Sequence, residues 1–196
     1  MIRIGLTGGI GSGKTSVSKW FAQKGIPVFD ADQVVHQLYA DKDGKLVTEI
    51  GKLFGADCIA DGRIDRYALG QVVFNNPDAR AELEALVHPR VMDEMLKQCQ
   101  EAELAGNKMM IIEIPLLLEK GFDKRIDEVW VVYVPSEIQI KRLMQRNNMT
   151  REEAVLRINS QMPLAQKKEM AHIVIDNSGS WAETEKQLDD LWRKYT

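Results

Sequence analysis

The chain of 196 residues is poor in several things, and each shortage excludes a class of protein. It has two cysteines, Cys58 and Cys99, and neither belongs to a C-x-x-C or Cys/His spacing. A disulfide framework and a structural zinc site are thereby excluded, and idle thiols in a reducing compartment are expected. No apolar run approaches the ~20 residues of a membrane span. The N-terminus passes directly into a strand and a loop rather than through a signal peptide, so a cytoplasmic protein is expected. Net charge is only −3, from 26 Lys and Arg against 29 Asp and Glu. That balance gives no general footprint for nucleic acid or a membrane surface, so anion binding must be local. There is no internal repeat, low-complexity segment or flexible linker. With 44% hydrophobic and 28% charged residues, the composition is that of a globular protein with one substantial core, or one core with appended helices.

What is present begins with Thr7-Gly8-Gly9-Ile10-Gly11-Ser12-Gly13-Lys14-Thr15, directly after the apolar run Ile2 to Leu6. The stretch fits G-x-x-x-x-G-K-[ST] in a strand, loop, helix context. Glycines let the backbone approach closely and turn successive N–H groups toward phosphate oxygens. The following helix adds about half a positive charge at its N-terminus, and Lys14 adds a full one toward the β- and γ-phosphates. Thr15 offers a hydroxyl to Mg²⁺.

A helix from Lys14 to Lys24 stops at Gly25, and the next strand, Ile26 to Phe29, ends in Asp30-Ala31-Asp32. Two carboxylates thus stand at the carboxyl edge of a strand, where open α/β sheets bind ligands. One of them can instead cap the helix that follows. From Asp32 to about Gly106 helix follows helix: Lys45 to Phe54 ending at Gly55, one capped by Asp65 and running to Phe74, and one opened by Asn76-Pro77. His88-Pro89 predicts a kink or break in that last helix near Val87. The excursion far exceeds what a βαβ crossover needs, which suggests a platform for a second, bulky substrate.

Strands return at Met109 to Ile114 and Glu128 to Val134, both near-continuous apolar runs suited to the centre of a parallel sheet. Glu113, near the end of the first, could hold a magnesium-bound water, cap a helix or form a salt bridge. Between Pro135 and Lys168 the charge inverts to +4, through Lys141, Arg142, Arg146, Arg151, Arg157, Lys167 and Lys168. Thr150-Arg151-Glu152-Glu153 is a capping box, so the segment reads as a helical hairpin able to close over phosphates. The competing reading is a solvated basic face. If the hairpin is a lid, Arg142→Ala should lower turnover far more than Lys167→Ala. A fifth strand, His172 to Asp176, and a capping box at Ser180 with Glu183 open a terminal helix reaching Tyr195. Five strands separated by helices predict a three-layer α/β domain with a five-stranded parallel sheet.

Such a set of parts serves phosphoryl transfer. Asp32 is the best-placed general base or orienter for an acceptor hydroxyl, or else a metal ligand. A switch GTPase would need a guanine-reading N-K-x-D; the Asn107-Lys108 pair continues into Met109-Met110 and precedes a strand instead of following one.

Gly5 to Lys14, Asp30-Ala31-Asp32 with His36, Asp65-Arg66, Leu86-Val87-His88-Pro89, Pro115-Leu116-Leu117-Leu118-Glu119, Lys141-Arg142 with Arg146, and Ile175-Asp176-Asn177 together resemble the dephospho-coenzyme A kinase family. The resemblance spans nearly the whole chain, with Asn147 and His172 standing where the family often has Asp. It implies a P-loop NTPase fold with strand order 2-3-1-4-5, an inserted helical substrate region and a helical lid. In that division residues 1–31, 107–135 and 170–196 form the nucleotide core, 32–106 the acceptor region and 136–169 the lid. The implied reaction is phosphorylation of the ribose 3′-hydroxyl of dephospho-coenzyme A by ATP and Mg²⁺; another small-molecule or nucleoside monophosphate kinase is the alternative. By the match, Lys14, Asp32 and Arg142 are catalytic, and Gly8, Gly11, Ser12, Gly13, Lys14, Thr15, Ser16, Arg146 and Asn177 bind ATP. Thr7, Asp32, Arg66 and His88 serve the acceptor, and Thr15 and Asp32 the metal. No nucleic-acid or membrane partner is expected, and a monomer or weak homo-oligomer is.

Overall fold

The computed structural model describes residues 1–74 and 76–195. In chain order the elements are β1 (Ile2–Gly8), α1 (Lys14–Gln23), β2 (Val28–Asp30), α2 (Ala31–Ala40), α3 (Lys45–Phe54), β3 (Ile59–Ala60), β4 (Arg63–Ile64), α4 (Arg66–Phe74) and α5 (Pro77–Leu104). There follow β5 (Met109–Glu113), β6 (Glu128–Tyr133), α6 (Ser136–Asn147), α7 (Arg151–Asn159), α8 (Leu164–Glu169), β7 (Ile173–Asp176) and α9 (Trp181–Tyr195). They make two compact units, Met1–Phe29 with Cys99–Thr196, and Asp30–Gln98.

The first unit holds a five-stranded sheet ordered β2-β5-β1-β6-β7, the order the family resemblance implies. Strands β5, β6 and β7 join it in parallel register, Ile4 facing Ile111 and Glu128, and Val131 facing Val174. The chain crosses over β1 in passing from β5 to β6, and ligand crevices form at the carboxyl end of such a reversal. The P-loop leaves β1 at that point. One sheet face carries Ile4, Leu6, Met109, Ile111, Trp130, Val132 and Ile175 against Val17, Trp20 and Phe21 of α1 and Leu188 of α9. Trp130 is fully buried, and its indole N–H is satisfied by Glu128 Oε2 at 2.9 Å. The same carboxylate accepts from the Tyr195 hydroxyl at 2.6 Å, tying α9 to β6. All five residues of β5 are buried, so helices cover both faces of the sheet.

The second unit packs around Val34, Leu46, Val47, Ile50, Ile64, Leu69, Val91 and Met95. Local caps define its helices as the sequence predicts. Asp65 Oδ1 accepts from the N–H groups of Tyr67 and Ala68 at 2.8 and 3.0 Å, and Asn76 Oδ1 from those of Asp78 and Ala79 at 3.1 Å each. The break expected at His88-Pro89 does not occur: α5 runs through Pro89 as one helix. Val87, Val91, Met92 and Met95 are buried on its inner side, while Ala85 and Pro89 face solvent. Water can therefore hydrate the carbonyl that Pro89 leaves without a backbone donor, and Arg90 Nη1 reaches the next one, Leu86 O, at 2.5 Å. The antiparallel hairpin β3-β4 was not anticipated. Its turn is Asp61-Gly62, with φ of 51° and 74°, and Asp-Gly is the strongest short hairpin signal a sequence carries. Cys58 and Cys99 are buried free thiols, as their isolation implied. Among the described residues no helix is long and apolar enough to cross a membrane.

Ile111 is fully buried in the middle of the sheet, whereas Leu104 is 89% exposed at the end of α5. Ile111→Ala is expected to cost about 2–5 kcal/mol in urea unfolding, and Leu104→Ala less than about 0.5 kcal/mol.

Candidate active site

Around the P-loop the first unit opens a cleft of about 560 Å³, lined by the loop, by the inner side of α6 and by the segment that joins β7 to α9. The loop contributes Gly9, Gly11, Gly13, Lys14, Thr15 and Ser16. Gly13 has φ of 96°, and a Cβ there would lie 2.2 Å from Asn177 Nδ2, so both backbone conformation and space demand glycine. At Gly8 a Cβ would lie 2.7 Å from the carbonyl oxygen of Val132.

The loop's carbonyls turn away from the cleft and are met by side-chain donors from the far end of the chain. Gln139 Nε2 donates to Ile10 O at 2.8 Å, Asn177 Nδ2 to Ser12 O at 2.7 Å, and Lys167 Nζ reaches Gly8 O at 3.5 Å. Arg142 Nη1 lies 3.4 Å from Gly11 O and 3.3 Å from Ser12 O, while its Nη2 donates to Asn177 O at 2.8 Å. Asn177 is itself held by the Thr184 hydroxyl at 3.0 Å. Three loop amides are already bonded: that of Ser12 to Gly9 O at 3.1 Å, that of Ser16 to Gly13 O at 3.0 Å, and that of Ile10 to Gln161 Oε1 at 2.9 Å. The Ile10 side chain packs into a small apolar cluster with Ile140, Leu143 and Ala154, which pins the loop to α6 and α7.

Glu113 stands at the carboxyl end of β5. It accepts from the Thr15 hydroxyl at 3.1 Å and from the buried Ser18 hydroxyl at 2.5 Å, joining strand to α1. Thr15 and Glu113 present oxygen donors side by side, the ligand type that magnesium prefers. At the end of β7, Asp176 accepts from the Ser178 hydroxyl and amide, and these bonds hold its carboxyl below the usual carboxylate range.

The predicted donor-site residues divide. Gly11, Gly13, Lys14, Thr15, Ser16, Arg142, Arg146 and Asn177 line the cleft. Ser12 turns inward with its hydroxyl buried, and Gly8 lies beneath the loop. Thr7 is fully buried and donates its hydroxyl to Pro115 O at 3.0 Å, so it holds a neighbouring segment instead of facing the cleft. Trp181, 40% exposed, also lines the cleft and was not anticipated. It opens α9 seven residues before Leu188 and eleven before Trp192, on the same side of the helix, so nothing local marked it as a cleft residue.

The basic run proves heterogeneous. Arg151 pairs with Glu137 on the surface at 2.6 Å, Lys168 lies over the Tyr133 ring at 4.5 Å, and Arg146 bonds Asn147 Oδ1 at 2.9 Å. Lys167 is fully buried and bonded to Glu119 at 2.7 Å. It is no solvated charge, so the solvated-face reading does not hold for Lys167.

In the second unit, Asp30 caps α2 by accepting from the Gln33 amide at 3.1 Å, and Asp32 falls in the helix's first turn, exposed. Asp32 and His36 stand one turn apart on one face. Arg66 Nη1 lies 3.4 Å from His36 Nδ1, so the predicted acceptor-side residue Arg66 meets the helix that carries Asp32. His88 is half-buried on α5.

A family model described as dephospho-CoA kinase matches residues 2–183. The chain is 45% identical to the dephospho-CoA kinase of Bacillus licheniformis over 96% of its own length and 94% of the relative's. A crystal structure from Thermus thermophilus superposes with a TM-score of 0.86 at 34% identity, covering 100% of this chain and 98% of that one. The dephospho-CoA kinase of Campylobacter jejuni gives 0.75 at 27% identity, covering 98% and 96%.

Because φ at Gly13 is positive and its neighbour is Asn177, Gly13→Ala is expected to weaken equilibrium ATP binding by at least about tenfold. Calorimetric titration checks this.

Proposed function

The chain belongs to the dephospho-CoA kinase family, and we propose that it transfers the γ-phosphoryl group of ATP to the ribose 3′-hydroxyl of dephospho-coenzyme A, giving coenzyme A and ADP. The observation that carries this reading is the cleft in which the loop residues Gly9 to Ser16, Arg142, Arg146 and Asn177 converge. It suits a nucleoside triphosphate, with cations near the phosphates and the Asn177 to Trp181 segment beside them for the base.

Phosphoryl transfer asks a protein mainly for positioning and charge stabilisation. In our reading the loop amides and Lys14 hold the donor phosphates. Arg146, on the last turn of α6, faces the cleft as the lid's cation. Arg142 contributes to the donor site from its place on the Gly11 and Ser12 carbonyls, where it also stiffens the loop. Thr15 and Glu113 fit a magnesium ion, which when bound would neutralise charge on the phosphates. Asp32 orients the acceptor hydroxyl and accepts its proton; as a metal ligand it would need to serve the same hydroxyl. Arg66 and His88 bind the acceptor's anionic groups, which assigns 32–106 to the acceptor and 136–169 to the lid. The protein would work in the cytoplasm as a monomer or weak homo-oligomer, without nucleic-acid or membrane partners.

Purified protein with ATP, magnesium and a panel of acceptors tests the assignment. ADP formation that depends on dephospho-coenzyme A is expected, and turnover confined to a nucleoside monophosphate would replace it with the alternative. Removing a general base lowers turnover by about 10²–10⁴-fold. Asp32→Asn is expected in that range with the KM for ATP little changed, and a kcat near that of the wild type would strip Asp32 of the role.

A further inference from the structure

Lys167 and Glu113 are the charged residues buried among the described part of the chain, and Lys167 has no exposed surface at all. Taking an ammonium out of water costs several kcal/mol unless its donors are met by well-placed acceptors. All three are used. Nζ bonds Glu119 Oε1 at 2.7 Å, Pro115 O at 3.1 Å and Gly8 O at 3.5 Å. Glu119 Oε1 also accepts from the Met162 amide at 3.2 Å, while Glu119 Oε2 is buried without a partner. One turn earlier on the same short helix, Leu164 fills an inward position with an apolar side chain. Packing alone therefore gives no reason for a charge at 167.

An ammonium does one thing that an apolar side chain cannot. It brings two carbonyl oxygens, Gly8 O and Pro115 O, to a single point where they would otherwise repel. The Gly8 carbonyl opens the P-loop. In a planar trans peptide the N–H of Gly9 points opposite to that carbonyl. Fixing Gly8 O against Lys167 therefore aims the Gly9 amide, and Gly9 lines the cleft. Thr7 reinforces the arrangement by donating to the same Pro115 oxygen at 3.0 Å.

We infer that Lys167 is a positioning residue for the donor site, its ammonium setting the peptide plane at which the phosphate loop begins, with Glu119 neutralising the charge and tying in the chain at Met162. This inference rests on the reading of Gly8 to Thr15 as the donor-phosphate loop. Lys167→Met and Glu119→Gln break the same ion pair, but only the first takes the donor from Gly8 O. The double variant buries no charge, and replacing a buried pair by neutral groups is often neutral for stability. Equilibrium binding of magnesium ATP and thermal midpoints are measured for all three. Lys167→Met is expected to weaken ATP binding at least about tenfold, and Glu119→Gln less than about threefold. The double variant is expected to regain the wild-type midpoint without regaining ATP affinity, and it decides the matter where Lys167→Met alone fails to fold. Wild-type ATP affinity in the double variant overturns the positioning role. So do equal losses of affinity in the two single variants. Absence of ATP binding by the wild type overturns the donor-loop reading and this inference together.

Discussion

A loop that aims its N–H groups at phosphate must aim its carbonyls elsewhere, and buried carbonyls need donors. In this protein that single constraint organises the first unit. The donors are Gln139, Arg142, Lys167 and Asn177, meeting the carbonyls of Ile10, of Gly11 and Ser12, of Gly8, and again of Ser12. Every one comes from the last third of the chain. The sheet order that places β1 between β5 and β6 is what brings those late residues beneath an early loop.

The same bonds determine what the helical hairpin can do. Its outgoing arm is attached to the loop through Gln139, Arg142 and the apolar contact of Ile140 and Leu143 with Ile10. Its returning arm is attached through Gln161 and Lys167. Both roots are thus anchored, and any closure over a bound phosphate belongs to the outer part of α6 and α7, where Arg146 stands. Arg142 belongs to the roots. Its guanidinium couples Asn177, on the side proposed for the base, to the carbonyls under the phosphates.

Signals contained in a few adjacent residues were legible from sequence. The glycine loop, the caps at Asp65 and Asn76, and the boxes at Thr150 with Glu153 and Ser180 with Glu183 all form as their spacing dictates. The five strands of the sheet were equally plain. Features decided by tertiary contact were not. Lys167 sits in a basic run and reads as surface, because nothing local announces Glu119, Pro115 and Gly8 as its neighbours. Pro89 reads as a break, but the buried residues on the opposite side of α5 carry the helix through it. Thr7 looks like a phosphate neighbour and is turned inward by Pro115 O. The Asp61-Gly62 turn carried a local hairpin signal, whereas Trp181 reads as part of its helix's packing face and only the structure shows it at the cleft.

The phosphate cradle is formed before the nucleotide arrives, because its carbonyls are already bonded from behind. Backbone ¹⁵N relaxation of the nucleotide-free protein, read at Gly9, Gly11, Gly13, Lys14 and Thr15, tests it most directly. A preformed loop has ps–ns order parameters near those of the sheet, about 0.85. Values below about 0.6 that rise only when ATP is added would show that the ligand builds the loop, and would contradict it.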